Sequence, residues 1–425
     1  MNLKELVLKK FKKNKELSQS FTWRLIQVLG KQGTSAVMFF IATLFLSKED
    51  MGVYNYVFSV LALLVIFSDF GISTATSKYV TEYNTVNKEK LNKVLFNSGL
   101  IIVLIAIIVT AVTLIWGEAL FPKYYEYILI ALPLVLVSPM SSLLDGMYRG
   151  LKRFKILSLI SLINGLVTIL ISYIFVTNYG LEGAILSQSV FFLTYTLVLI
   201  FLQKGYVFKI DKKILKDIGM YSLSFGIATL GFYLFSRVNI LILGQYDLLE
   251  EIAVYELLNK MYTVYLIPST VLGQVLAPTI VEMFSLKKYT FVQITFRKLL
   301  LYLSLTAIVF IPISMVVTKL LIGAVLPDYS NGIMMALLFP VAITYAKMIP
   351  GSTINSGLIT STGHAGIMAI QNVISGILNV TLNLIVIKEY GYIGVVWVTF
   401  WIQLISLIAL YLVYYLKLKK YTDEK

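Results

Sequence analysis

The chain has 425 residues, 58% of them apolar and 14% charged, with no cysteine and a single histidine. Soluble domains average about 45–50% apolar and about 25% charged, so the composition sets aside a water-soluble enzyme. The missing thiols exclude disulfide frameworks, thiolate nucleophiles and Cys-ligated metal centres, and His364 alone builds no histidine cluster. No Gly-x-x-x-x-Gly-Lys-[Ser/Thr] loop is present, the nearest stretch being Gly71 to Lys78 without the second glycine, so ATP hydrolysis and a bound cofactor are not expected. The formal net charge of +14 then needs a place on the chain before it means anything.

Residues 1–23 carry Lys4, Lys9, Lys10, Lys12, Lys13 and Lys15, with Leu3, Val7 and Phe11 at i, i+4 and i+8. That pattern predicts an amphipathic segment lying on an anionic cytoplasmic leaflet rather than a cleaved signal peptide, because no apolar run follows the charges before Trp23. Crossing about 30 Å of hydrocarbon takes roughly 20 helical residues, and twelve apolar stretches of that order follow. They run near 24–46, 53–76, 94–116, 127–148, 156–177, 181–202, 218–244, 252–283, 296–318, 331–354, 365–387 and 392–416. Seven of the nine prolines fall inside them, which suits a polytopic bundle whose neighbouring helices satisfy the freed backbone groups. With Arg24, Arg297 and Lys298 counted at the cytoplasmic edges of their spans, 28 Lys and Arg fall on one side and 4 on the other, so the positive-inside rule supports twelve spans with both termini in the cytoplasm. Most of the excess charge is therefore topological, and nucleic acid is not needed as a partner.

Four weak segment pairs recur in order at slowly growing offsets. Gly52-Val53-Tyr54 matches Ala253-Val254-Tyr255; Leu120-Phe121-Pro122 matches Val325-Leu326-Pro327; Gly150-Leu151 matches Gly357-Leu358; and Tyr179-Gly180-x-x-Gly183 matches Tyr390-Gly391-x-x-Gly394. A duplicated half of six spans returns the chain to its starting side, so the expected fold is an all-α integral membrane protein. Its two six-helix lobes would be related by a pseudo-two-fold axis along the membrane normal. The expected organisation is an amphipathic segment over 1–23, an N-lobe over 24–202, a cytoplasmic linker over 203–217, a C-lobe over 218–416 and a cytoplasmic tail over 417–425. Paired lobes are the geometry of alternating access, which selects transport over anchoring.

Four cations fall inside spans: Lys31, Arg237, Lys260 and Lys347. Each costs roughly 2.5–3.5 kcal/mol near a helix centre, so each is expected to face a wet interior or a partner. A ladder of cations at several depths suits an anionic phosphate or diphosphate head group. Structural alternatives stand beside that reading: Lys31 near the interface can snorkel, and Glu256 and Lys260, at i and i+4, can neutralise each other, while Arg237 and Lys347 show no local partner. Asp69 in Ser68-Asp69-Phe70-Gly71 either binds a coupling proton or sodium or is structural, capping a broken helix or pairing with a lysine, and Glu256 is likewise a candidate for ion coupling or a structural role. Asp145 and Glu282 read as interfacial, and His364 as a surface residue in a Gly-rich turn; a few in-span tyrosines such as Tyr233 and Tyr262 are candidates for stacking on sugar rings.

The stretch Asp69-Phe70-Gly71-Ile72-x-x-Ala75-x-x-Lys78, the turn Gly150-Leu151-Lys152-Arg153-Phe154, the Tyr-Gly-x-x-Gly motif and the 6+6 layout together resemble a known family. It is the polysaccharide-biosynthesis branch of the multidrug/oligosaccharidyl-lipid/polysaccharide exporter superfamily, the Wzx-type flippases of O-antigen and capsule repeat units. The resemblance extends over essentially the whole chain. It implies two six-helix lobes in the bacterial inner membrane that move an undecaprenyl-diphosphate-linked oligosaccharide from the cytoplasmic to the outer leaflet. No covalent chemistry is implied, and the partners implied are membrane lipids and, in the same process, a glycan polymerase and glycosyltransferases. It also implies that cavity cations hold the diphosphate, a role Lys31, Arg237, Lys260 and Lys347 match in kind. A cation-coupled multidrug exporter of the same superfamily and a lipid II flippase are the alternatives; the first would favour an acidic cavity, and the second carries two further C-terminal helices.

Overall fold

The computed structural model describes residues 15–86, 88–203 and 207–423, and these are helical with no strand among them. The lysines at positions 4, 9, 10, 12 and 13, together with Leu3, Val7 and Phe11, lie outside the described residues, as does Lys204. Ten helical stretches are long and apolar enough to cross a membrane, which makes this a multi-pass membrane protein. Two of the ten, Phe154–Leu202 and Ala365–Asp423, have 49 and 59 residues, more than twice what one crossing needs.

Both long helices break at the glycine of the repeated Tyr-Gly-x-x-Gly motif. Gly180 has φ 54° and ψ −129°, and Gly391 has φ 57° and ψ −150°, a region open to glycine and closed to residues with a Cβ. The duplicated motif thus produces the same local bend twice, and each long helix divides where the sequence separates its spans. Nothing lies within 4 Å of where a Cβ would stand at either position, so the cost of substitution is conformational alone. Gly180→Ala or Gly391→Ala is expected to destabilise the protein by about 1–3 kcal/mol, read as a lowered thermal unfolding midpoint in detergent.

The chain divides into two compact units, Lys15–Leu230 and Gly231–Lys425. In the first, α1 (Lys15–Phe45), α2 (Lys48–Asp69), α3 (Ile72–Val86), α4 (Lys88–Leu120), α5 (Tyr125–Ala131), α6 (Leu134–Gly150) and α7 (Phe154–Leu202) are followed by most of α8 (Lys212–Ser236). Its core joins Val94 and Ile102 of α4, Leu143, Leu144 and Tyr148 of α6, Leu157 and Tyr195 of α7 and Ile214 and Ile218 of α8. This unit takes in the start of α8, which packs into its core through Ile214 and Ile218. The stretch before α8 is also held down: the Asn97 side chain donates to the Lys209 carbonyl at 3.0 Å and accepts from the Asp211 amide at 2.9 Å.

The second unit holds the end of α8, α9 (Val238–Gln245), α10 (Leu249–Tyr265), α11 (Ile267–Ser285), α12 (Tyr289–Val325), α13 (Gly332–Ile354) and α14 (Ala365–Asp423). Two sequence-predicted spans are broken. The 218–244 span separates into α8 and α9 at Arg237, and the 252–283 span separates into α10 and α11 before Pro268, which takes the first turn of the new helix. A π-helical segment, Asn355–Ile359, follows α13 just after Pro350.

His364, expected at the surface, is only 8% exposed. Its ring sits among Phe284, Tyr414 and Tyr421, with centroids 5.6–6.2 Å away, and its Nδ1 is 3.0 Å from the Thr362 hydroxyl. The aromatic residues of α11 and α14 close over the turn that sequence position alone leaves open. Burial, with a smaller contribution from Lys417, lowers the imidazole pKa from its ordinary 6.5. A folded value below the unfolded one means this stability is complete above about pH 6.5 and is lost as the pH falls toward the folded value. Acidification from pH 7.5 to 5.5 should therefore destabilise the wild type more than His364→Phe, as measured by thermal unfolding at both pH values.

Candidate functional site

In the first unit the first helix presents Arg24, Gln27 and Lys31 at i, i+3 and i+7, the spacing of one helical face. Opposite them stands Asp145, which the sequence placed at the interface and which is 6% exposed. Three cations converge on its carboxylate. Lys31 Nζ is 2.9 Å from Oδ1, Arg149 Nε is 3.0 Å from Oδ2, and Arg24 stands at 3.9 Å. Gln27 and the Tyr195 hydroxyl donate to Oδ1 as well, at 2.5 and 3.0 Å. The Lys31 ammonium also lies 4.1 Å from the centre of the Tyr195 ring, a cation–π contact. Lys31 therefore does not snorkel away from the protein; it is drawn inward by a carboxylate 114 positions along the chain.

One carboxylate among three cations leaves a formal excess of two positive charges at the contact distances. Asp69 acts on Arg149 through space, yet its own contacts are structural: Oδ1 accepts from the Ser73 amide at 2.9 Å and the Ser73 hydroxyl at 2.5 Å. Asp69 thus caps the start of α3 across the sharp turn at Phe70-Gly71, the helix-capping alternative that its sequence context offered.

In the second unit Arg237 stands in the break between α8 and α9, with φ −130°. The guanidinium, which the sequence left without a partner, bonds Glu256 at 2.8 Å. Glu256 also accepts from Asn259 at 2.8 Å, and Lys260 acts on the same carboxylate through space. The local i, i+4 pairing of Glu256 with Lys260 is therefore supplemented by an arginine 19 positions earlier, which the α8–α9 break brings alongside. Only 4% of the Glu256 side chain is exposed against 46% for Arg237, so the carboxylate is sealed while the cation opens outward. Lys347 bonds the amide oxygen of Gln403 at 2.6 Å, and its nitrogen lies 6.0 Å from the centre of the Phe400 ring. Here too cations outnumber carboxylates.

Lys31 and Asp69 belong to the first unit, and Arg237, Glu256, Lys260 and Lys347 to the second. Sequence reasoning missed Arg24, Asp145 and Arg149 as members of the cationic group. The available signals were the polar face of the first helix and the i, i+4 spacing of Asp145 and Arg149. Of the tyrosines suggested for sugar stacking, Tyr233 and Tyr262 are 3% and 0% exposed, and Tyr262 packs against Phe310 and Tyr345; they are core residues. Among the described residues no group of three or more His, Asp or Glu is arranged to hold a metal ion.

A sequence profile described as polysaccharide biosynthesis protein matches residues 17–284. No curated protein gives a significant match. Solved structures share the fold at low identity. A multidrug resistance MATE family transporter of the MOP superfamily, in an inward-facing conformation, is 14% identical with a TM-score of 0.77, covering 95% of this chain and 99% of that one. The outward-facing conformation of a multidrug resistance MATE family transporter gives 14% identity and a TM-score of 0.65, with 97% of each chain covered. A MOP superfamily transporter from Pyrococcus furiosus, described as having a binding pocket of reversed polarity and a different function, gives 13% and 0.63 over 96% of each chain.

Proposed function

Because the chain belongs to the polysaccharide biosynthesis protein family, we propose that it is a membrane transporter, not an enzyme, whose cargo is a lipid-linked oligosaccharide. The cargo would be an undecaprenyl-diphosphate-linked repeat unit for O-antigen, capsule or a related surface polysaccharide, moved from the cytoplasmic to the outer leaflet of the bacterial inner membrane, with both chain termini cytoplasmic. Transport proceeds by alternating access, the same head-group site opening first to one leaflet and then to the other. A glycan polymerase and glycosyltransferases are the partners such a process requires before and after it.

The single observation that carries this reading is the charge excess. Three cations share Asp145, and Arg237 and Lys260 share Glu256 while Lys347 rests on a neutral amide. A diphosphate accepts charge-assisted hydrogen bonds from such groups, and the guanidinium fork suits phosphate oxygens in particular. Arg237, half exposed beside a sealed carboxylate, can bind an anion without giving up Glu256. The sugar needs a polar path while the prenyl tail remains in lipid, so no bond need form or break.

Multidrug export is the second reading, favoured by the fold shared with multidrug transporters. Cationic drugs would have to approach groups of like charge, which disfavours it electrostatically. Proteoliposomes separate the two. Flipping of a fluorescent polyprenyl-diphosphate sugar without ion-driven uptake of a cationic dye is the expected result; the reverse pattern would establish the exporter and overturn the flippase.

A further inference from the structure

At the end of the second span, the first unit holds a cavity of about 450 Å³ that Lys31 does not line and that meets the Asp145 cluster at Arg149. One wall is a face of α3, where Thr74, Ser77, Lys78 and Thr81 fall at i, i+3, i+4 and i+7. Arg149 of α6 and Tyr221 of α8 complete it, with Glu82 beside them. Lys78 is exposed, yet it is held in place: its ammonium lies 3.9 Å from the centre of the Tyr221 ring and 4.9 Å from that of Tyr79. Two rings position the charge and leave its donors for another acceptor, since a π face takes up no N–H in the way a carboxylate does. The Thr81 hydroxyl is spent on the Ser77 carbonyl at 2.8 Å. Arg149 keeps its Nε on Asp145 at 3.0 Å while its side chain lines this cavity.

We propose that this cavity is a docking site for a phosphate-ester head group, held by Lys78 and Arg149 with the hydroxyls of Thr74 and Ser77. The volume exceeds what a lone inorganic anion fills, leaving room for the first sugar of a glycosylated head group, whose hydroxyls Glu82 can accept from. Arg149 belongs both to this cavity and to the Asp145 cluster, so an anion seated here is one residue away from that cluster. The identity of the head group as cargo rests on the transport reading above; the existence of the anion site does not.

The test uses the full chain in phosphatidylcholine nanodiscs. The protein has no cysteine, so Asn84→Cys, one turn beyond Thr81 and exposed, carries a single fluorophore beside the cavity. Undecaprenyl diphosphate should shift its emission saturably. Lys78→Gln should weaken that response about 10-fold, the loss of one charge-assisted hydrogen bond, with unfolding temperature unchanged. Phosphatidylglycerol and inorganic phosphate are titrated in parallel. A response to undecaprenyl diphosphate alone identifies cargo docking; an equal response to phosphatidylglycerol identifies the same site as one for bulk anionic lipid. No response to any phosphate ester, or one that Lys78→Gln leaves intact, overturns the proposal. The flipping assay is run on the same preparation: flipping without a reporter response defeats this site alone, and a response without flipping defeats the transport reading alone.

Discussion

Asp145→Ala is expected to be among the most destabilising single substitutions in the first unit. It removes the one carboxylate on which Lys31, Arg149 and Arg24 converge at 2.9, 3.0 and 3.9 Å, and it strands the Gln27 and Tyr195 donors. Breaking a buried pair by deleting one partner costs about 3–5 kcal/mol, because an uncompensated charge remains out of water. Arg24 and Arg149 are each about one-third exposed and recover part of their hydration, so the low end of that range is the expected value. The loss should appear as a lowered unfolding temperature and reduced yield of monodisperse protein. Charge balance makes a second, sharper prediction. Adding Lys31→Met to Asp145→Ala should restore more than half of the lost stability while leaving cargo binding impaired. A single mutant as stable as wild type would show that the cluster is solvated and does not hold α1, α6 and α7 together.

Of the three in-span cations of the second unit, Arg237 and Lys347 should separate function from stability. Arg237→Met leaves Glu256, 4% exposed, with Asn259 and a through-space lysine as compensation, so stability should fall by up to about 3–5 kcal/mol along with transport. Lys347→Met should behave differently. Among the described residues its ammonium bonds a neutral amide oxygen and faces no carboxylate in an ion pair, so a methionine of similar reach removes a desolvated charge without stranding an opposite one. Stability should be unchanged or raised, while flipping should fall about 10-fold or more, the worth of one charge-assisted contact to phosphate. Measuring unfolding temperature and initial flipping rate on the same preparations checks both. A Lys347→Met protein that flips normally would remove this residue from the head-group site.

The all-helical, multi-span character of the chain was legible because a bilayer imposes both a length and a composition, and the two long helices' bends because glycine in Tyr-Gly-x-x-Gly specifies a bend through its backbone alone. Breaks inside a span were less so: Arg237 interrupts 218–244 without a proline to announce it. The candidate site was legible in its cations and hidden in its carboxylates. A lone lysine or arginine in an apolar run is conspicuous, whereas Asp145 sits near a helix end beside Arg149, where a carboxylate looks solvated. Its defining contact reaches Lys31 across 114 positions, a separation no local pattern encodes. His364 was misplaced for the same reason, since the rings that cover it come from α11 and the end of α14. The capping contact of Asp69 is local, closed within four residues, which is why capping stood among the readings its sequence context offered.

Beside Lys347, whose ammonium rests on the neutral Gln403 amide, the uncompensated positive charge is what should hold a diphosphate head group. Equilibrium binding of an undecaprenyl-diphosphate sugar to the purified chain in neutral nanodiscs, compared between wild type and Lys347→Met, measures this directly. Saturable binding that weakens with added salt and falls about 10-fold in the variant is expected, one charge-assisted contact being lost. Equal affinity in the stably folded variant, insensitive to salt, would rule out a head-group site built on this cation.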